Sequence, residues 1–562
     1  MNPKRPGLTW SLILIVGFLT LCPVLMLLLG SFSQGLTAFG QFTTAKYVAA
    51  YTDPHLLQVF SNTVIFVVGS TVLATLLALV LAYLNTRTNI PFKPLFTVLS
   101  IVPMMIPHLL FSVSWALLLN PSNGLLNLSL QDLFGLESAP FNIYSLEGMI
   151  LVEGLLNMPI AYLIIAPAMA SFDGALEEAS RVGGAGVWRT LWRVTLPVLR
   201  PAILAAFVLG VVRSLASYAV PRVLGMPGRV DVLATYLYEM ISTGFAPDYG
   251  QAAALGMSVL SVSIALIVLY RALTASGDKF VTISGRGYRP AVIELKKARL
   301  PLFLAISVLS LLMVVLPVGV LLYTSLVPYS MVPSAQAFAS MSLNHWFEVL
   351  RDPISLLALR NSLFLAVVGA TLGVVLSLFI AYVVVKIRTR AAGLLETLSF
   401  LSFSFPGIVI GIGFMWFFVQ TPLYATLTAL LLAYIATYLP YGVRPLASAF
   451  VQVHAHLEES SQVCGAGPFT TFRRIIVPLL IPGIVSAWIL MATMFVRELT
   501  VSVVLSRPGS EVLAVQILNF ADDGLWGKLS ALGIVMILIS TGLVLLAAWA
   551  GQRFRGTRVV GS

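Results

Sequence analysis

The chain has 562 residues, of which 59% are hydrophobic and only 10% charged, with a mean hydropathy of +0.96. Soluble domains carry about 25% charged residues, so a chain this apolar is built for lipid rather than water. Its 33 Lys and Arg against 22 Asp and Glu suit either nucleic acid or the basic inner loops of a membrane protein.

Residues 1–8 form a short basic head with Lys4 and Arg5, followed by an apolar run over 9–30. A secretory signal is the rival reading, but the run is long and no small-residue cleavage site closes it, so a retained first span is expected. A helix needs about 20 apolar residues to cross a bilayer. Further runs predict spans near 61–84, 96–119, 146–170, 201–222 and 251–273, then 300–323, 361–385, 396–418, 423–443, 480–504 and 529–550. The expected fold class is therefore all-α, a polytopic membrane protein of about twelve helices. Alternating segments of about ten residues, the mark of a membrane β-barrel, are not what these runs show.

With the N-terminus inside, the basic residues crowd onto the even connections and the termini, as the positive-inside rule requires. That asymmetry decides against nucleic acid and predicts a multi-pass protein with both termini cytoplasmic. The stretch from Arg271 to Arg299, with "GDKF" and "SGRGYRP", reads as a flexible inner linker. The two cysteines, Cys22 in an apolar run and Cys464 in a polar loop, indicate no disulfide framework.

Two inner connections carry nearly the same polar text: "EEASRVGGAGVWRTLWRVTLPVLRP" from Glu177 and "EESSQVCGAGPFTTFRRIIVPLLIP" from Glu458. Glu178 and Glu459, Gly184 and Gly465, Val194 and Ile475, and Pro197 and Pro478 are each 281 residues apart. The match extends to Pro159 and Pro440, and to "LGMPGRVDVLA" (224–234) with "LSRPGSEVLA" (505–514). Asn62-Thr63 and Asn361-Ser362 match at a different offset, absorbed by the longer outer loop at 120–145. Both polar copies fall inside, so the repeat is parallel: a first half over 1–275, a linker over 276–299 and a second half over 300–562. Within each loop (173–200 and 454–481), the sequence predicts a short helix, capped in the first copy by Asp173, with acids in its first turns. A glycine bend follows. A second short helix, "VWRTLWRV" in the first copy, should then be broken from the next span at Pro197 and at Pro478.

The pattern Glu178-Ala179-Ser180, Gly184, Val194, Leu196-Pro197, repeated as Glu459-Ser460-Ser461, Gly465, Ile475, Val477-Pro478, resembles the Glu-Ala-Ala loop of ABC importer permeases. Small Ser stands for Ala, and other aliphatics for Ile and Leu, with the spacing kept. The resemblance covers nearly the whole chain, as a fusion of two binding-protein-dependent permease halves. It implies that each loop docks on a cytoplasmic ABC ATPase dimer, with Glu178, Ala179, Gly184 and Pro197 in one copy and Glu459, Ser460, Gly465 and Pro478 in the other. It also implies a bacterial inner membrane and a periplasmic or extracellular solute-binding protein that hands over the solute. Residues 495–518 and the segment "ASYAVPRVLGMPGRVDVLATYLYE" are similar to fused ferric-iron permeases, which points to iron(III). Thiamine, aminoethylphosphonate and polyamine permeases share the class and stay open as alternatives.

No phosphate-binding loop occurs; "DDGLWGKLS" has Asp522 where the first Gly must stand. ATP hydrolysis is thus expected from a separate subunit, and this chain is not expected to be an enzyme or to hold a cofactor or metal. His454 and His456 form an H-x-H that reads as a solvated loop before a helix rather than a metal site. Inside the spans, Arg213, Arg497 and Glu498 are candidate pathway residues, since an ionisable group there is costly. Glu153, near the outer end of its span, reads as interfacial. An ion-coupled secondary transporter would use such carboxylates, but Glu498 alone is thin support for one; a non-transporting scaffold would leave the paired loops unexplained.

Overall fold

The computed structural model describes residues 6–34, 41–171, 174–242, 247–274, 292–387 and 389–556. The protein is an all-α polytopic membrane protein. Among the described residues, extended pairing is limited to two isolated bridges, Ser33 with Phe42 and Thr88 with Ile293. Among the described residues, nine helices are long and apolar enough to span a membrane, including Pro54–Arg87, Leu146–Ser171, Val187–Leu215, Pro353–Ile387 and Pro468–Val496. Asp173 and most of the linker, including "GDKF" and "SGRGYRP", lie outside the described residues.

Hydropathy overstated the continuity of several predicted spans. The run at 96–119 is two helical pieces, Lys93–Met105 and His108–Leu119, bent by 101°. Pro107 lies at the bend, where a residue without an N–H cannot continue the ladder. The run at 396–418 is likewise split, into Arg390–Leu401 and Gly407–Phe418, with Pro406 as the N-cap of the second piece. The spans predicted at 201–222 and 480–504 end early, at Leu215 and Val496. Beyond them the chain turns and forms two 10-residue helices, Leu233–Ser242 and Leu513–Asp522. Each is half the length needed to cross a bilayer.

The repeat at the second offset has a structural basis. Pro54–Arg87 starts with Pro54 after the N-cap Asp53, whose carboxylate accepts the His55 N–H; Pro353–Phe364 starts the same way after Asp352, which accepts from Ser355 N. Two turns on, Asn62 Nδ2 donates to the Asp231 carbonyl at 3.1 Å, and Thr63 Oγ1 accepts Leu233 N at 2.9 Å. Asn361 Nδ2 donates to the Glu511 carbonyl at 2.9 Å, and Ser362 Oγ accepts Leu513 N at 2.8 Å. In both halves an amide and a hydroxyl on a long helix satisfy the backbone that enters a short one. Such groups cannot be left unpaired where water is scarce.

The chain forms two compact units. One comprises Met1–Tyr51, Met240–Ser258 and Trp346–Ser562; the other comprises Thr52–Glu239 and Val259–His345. Each unit thus contains the first span of the other sequence half. In the former, the Pro6–Ser31 helix packs on Arg390–Leu401 and Gly407–Phe418, with Leu12, Val16, Leu395 and Leu398 in one buried cluster. A Cβ on Gly413 would lie 2.3 Å from the Pro23 carbonyl oxygen, so the absence of a side chain permits this approach. In the latter, Leu316–Leu326 packs against His108–Leu119.

Candidate functional site

The two polar loops have the same local geometry. In the first, the helix Ala175–Val182 ends in a six-residue closure: Ala185 N donates to the Ser180 carbonyl at 3.0 Å and Gly184 N to the Arg181 carbonyl at 2.9 Å. Gly184 sits at φ +83°. In the second, Ala466 N donates to Ser461 O at 3.0 Å and Gly465 N to Gln462 O at 2.9 Å, with Gly465 at φ +80°. This left-handed helix stop favours glycine, because a Cβ there meets the following carbonyl. Nothing within 4 Å would obstruct a Cβ at either glycine, so backbone conformation alone selects the residue.

A side-chain bond closes each bend. Ser180 and Thr190 share a hydrogen bond at 2.9 Å, and Ser461 and Thr471 share one at 2.8 Å. The serine that replaces alanine at the third motif position therefore ties the two arms of the loop together. The predicted breaks at Pro197 and Pro478 are absent: Val187–Leu215 and Pro468–Val496 run on as 29-residue helices, and "VWRTLWRV" is the first part of one of them. Just before each proline, the turns Leu191–Thr195 and Phe472–Ile476 widen to a π-helix. That widening accommodates a residue that lacks an N–H and whose ring crowds the carbonyl four residues back.

The paired acids part company. Glu177 is buried, with its carboxylate 3.7 Å from Arg87 Nε and accepting from Thr195 Oγ1 at 2.7 Å. Glu458 is buried and lies 3.0 Å from Lys386 Nζ. Glu178 and Glu459 are exposed. His456 Nδ1 lies 2.9 Å from Glu459 Oε2 and, through that bond, holds the carboxyl below the usual carboxylate range. Among the described residues no cluster of three metal-ligating side chains occurs. Around the glutamates, Leu176, Val182 and Trp188 are exposed at 50%, 90% and 71%, and their counterparts Leu457, Val463 and Phe469 at 43%, 88% and 74%. Each loop thus exposes one acid and three apolar side chains, at the same three positions in both copies.

Of the three intramembrane candidates, Arg213 joins a polar network. Its Nε donates to Asn157 Oδ1 at 3.1 Å, and its Nη2 lies 3.3 Å from His108 Nε2. Asn157 Nδ2 donates to Glu153 Oε1 at 2.8 Å and Ser217 Oγ to Glu153 Oε2 at 2.7 Å. Glu153, read from sequence as interfacial, faces neither lipid nor water: it is 2% exposed and held by two hydrogen bonds, from Asn157 and Ser217. In the other unit, buried Glu498 accepts from Tyr438 Oη and from Val501 N, while Arg497 donates to Met494 Sδ at 3.4 Å. Glu153 and Ser217 correspond through the 281-residue repeat to Tyr434 and Glu498. A carboxylate thus occupies the same helix–helix contact in both halves but is supplied from opposite sides.

Two loops of one design, on two repeats of membrane helices, define a two-fold transport machine within one chain. The chain belongs to the family described as "Binding-protein-dependent transport system inner membrane component", which matches residues 70–277 and 373–556. It is the permease of a binding-protein-dependent ABC importer. It is 28% identical over 551 residues to the ferric transport system permease protein FbpB of Actinobacillus pleuropneumoniae, covering 97% of this chain and 78% of that one. It is 24% identical to the Fe(3+)-transport system permease protein FbpB 2 of Haemophilus influenzae, over 96% of this chain and 97% of that one. A shorter match, 29% over 34% of this chain and 79% of the relative, is to the molybdenum transport system permease protein ModB of Escherichia coli.

Proposed function

We propose that the two polar loops, lying on the cytoplasmic side with both termini, are the docking surfaces through which a separate ABC ATPase dimer drives this permease. The observation that carries the reading is the repeated exposed set: Glu178 with Leu176, Val182 and Trp188, and Glu459 with Leu457, Val463 and Phe469. Exposed aromatic and aliphatic side chains on a loop lose water by docking, and an exposed acid in the same loop gives orientation. Gly184 and Gly465 supply the bend, and exposed Ala179 and Ser460 are small enough for a partner backbone to approach. Pro197 and Pro478 sit where each loop stiffens into a span, so displacement of the loop passes into a continuous helix. Co-purification of an ATPase with the intact chain, lost when both exposed sets are replaced by Ser and Lys, is the expected result. Retention of the full ATPase complement would refute the assignment. Vanadate-insensitive uptake driven by an ion gradient would instead favour a secondary transporter.

The solute we infer is iron(III), free or in a small chelate, delivered by a solute-binding protein outside the cell. Support comes from the two ferric permeases similar to this chain over nearly its whole length and from the hard oxygen donors at the repeated helix contact, Glu153 in one half and Glu498 with Tyr438 in the other.

 Glu153, in a network with Arg213 in one unit, and Glu498, next to Arg497 in the other, are each where we place solute or its counter-charge during passage, since a hard cation prefers carboxylate and phenol oxygen. Uptake of labelled iron, molybdate, thiamine and aminoethylphosphonate in a deletion strain tests this. Loss of iron uptake alone is expected. Intact iron uptake with loss of another solute would overturn the iron assignment and leave the importer class standing.

A further inference from the structure

We propose that Arg87 and Lys386 are positioning residues, a pair of basic clasps that lock each polar loop to the helix behind it; the functional part of this inference rests on the docking role proposed above. Arg87 ends the Pro54–Arg87 helix, and Lys386 lies in the last turn of the Pro353–Ile387 helix. They are 299 residues apart, the same offset as Asn62 and Asn361, so they are one position of the repeat. Each cation makes the same two contacts. Arg87 Nη2 donates to the Met169 carbonyl at 3.0 Å, and its Nε lies 3.7 Å from Glu177. Lys386 Nζ donates to the Val453 carbonyl at 2.9 Å and lies 3.0 Å from Glu458. One contact is thus to the backbone where the preceding long helix runs out, and the other is to an acid in the loop helix. The cation spans the hinge between them.

The side chains of the first pair are 0% and 1% exposed and those of the second 14% and 10%. Burying opposite charges is a poor way to gain stability, because desolvation offsets most of their attraction, but it fixes register strongly. Here the register fixed is the angle at which the loop leaves its span. A loop free to swing at that hinge would absorb a push at Glu178 or Glu459; a clasped loop passes it to the long helix that carries the cation. The glutamates immediately before the exposed pair would therefore serve transmission, and the exposed ones contact.

The test uses Arg87→Met, Lys386→Met and the conservative Arg87→Lys and Lys386→Arg, in the full chain reconstituted with its ATPase and binding protein. Two readouts are taken: amide exchange of the loop peptides, and uptake per ATP hydrolysed. The methionine variants are expected to exchange at least about tenfold faster in the affected loop only, with uptake per ATP falling while the ATPase still co-purifies, and the conservative variants should restore both. Unchanged loop exchange in Lys386→Met, the more exposed and hence better tolerated copy, would overturn the clasp. Faster exchange with unchanged uptake per ATP would overturn its role in transmission. Failure of the docking reading would show separately, as an ATPase that remains bound when Glu178 and Glu459 are both reversed.

Discussion

Glu177 and Glu178 are neighbours in the chain and opposites in environment: the first is 1% exposed beside Arg87, the second faces solvent. Their chemistry is identical, so substitution should separate two kinds of failure. Glu177→Ala leaves the Arg87 charge buried without its partner, which costs about 3–5 kcal/mol. Glu178→Ala should change stability by less than about 0.5 kcal/mol. Thermal unfolding in detergent checks both values.

Charge reversal at the exposed acids should act on assembly instead. Glu178→Lys or Glu459→Lys is expected to weaken retention of the ATPase, and the double variant to weaken it further because each loop makes its own contact. Quantitative co-purification measures this. Equal retention by all three variants would rule out an acid-centred contact.

Gly184→Val and Gly465→Val probe the bend. Each glycine holds a positive φ with open space around a would-be Cβ, so strain is purely conformational, roughly 1–2 kcal/mol per site. Asn tolerates this region better and should recover part of the loss. The ratio of uptake to ATP hydrolysis in the same vesicles is expected to fall for Val and to recover partly for Asn.

Ser180 and Thr190, like Ser461 and Thr471, should behave as coupled pairs. Ser180→Ala or Thr190→Val is expected to loosen the first loop by about 0.5–1.5 kcal/mol, and the double change to cost little more than either alone. A double-mutant cycle on local amide exchange gives the coupling. Additive effects would mean the shared bond contributes nothing.

Glu498→Gln and Glu153→Gln keep the side-chain shape and most hydrogen bonds, so the fold should survive. If these carboxylates meet the solute, uptake should drop about tenfold or more, equivalent to roughly 1.4 kcal/mol, with the ATPase still bound. Transport assays on vesicles matched for protein content decide the point.

Much of this architecture could be read from residues alone, and the exceptions have physical causes. Apolar runs marked the spans because lipid demands them, and the 281-residue repeat located both loops. Hydropathy could not see that Pro107 and Pro406 divide apolar runs, since proline in such a run changes geometry and not solvent preference. The opposite error arose at Pro197 and Pro478, where a widened turn absorbs the proline and the helix continues. Glu177 and Glu178 are indistinguishable by type; only the basic partners at 87 and 386, visible at the same offset as Asn62 and Asn361, could have told them apart. Glu153 was misjudged because distance along a span says nothing about which neighbours enclose a side chain.

The bridge between Thr88 and Ile293 bears on how the two halves came to share one chain. Ile293 N donates to the Arg87 carbonyl at 2.8 Å, Asn89 N donates to the Ile293 carbonyl at 3.1 Å, and Leu295 N donates to Asn89 Oδ1 at 3.0 Å. The last linker residues, downstream of 277–290 and just ahead of the second half's first helix, are therefore held on the end of the Pro54–Arg87 helix. Severing the polypeptide within 277–290 should leave that seat intact, and the two fragments made as separate polypeptides should assemble and transport. One gene or two would then be a matter of bookkeeping for the cell, with the joint made by hydrogen bonds and the covalent link incidental.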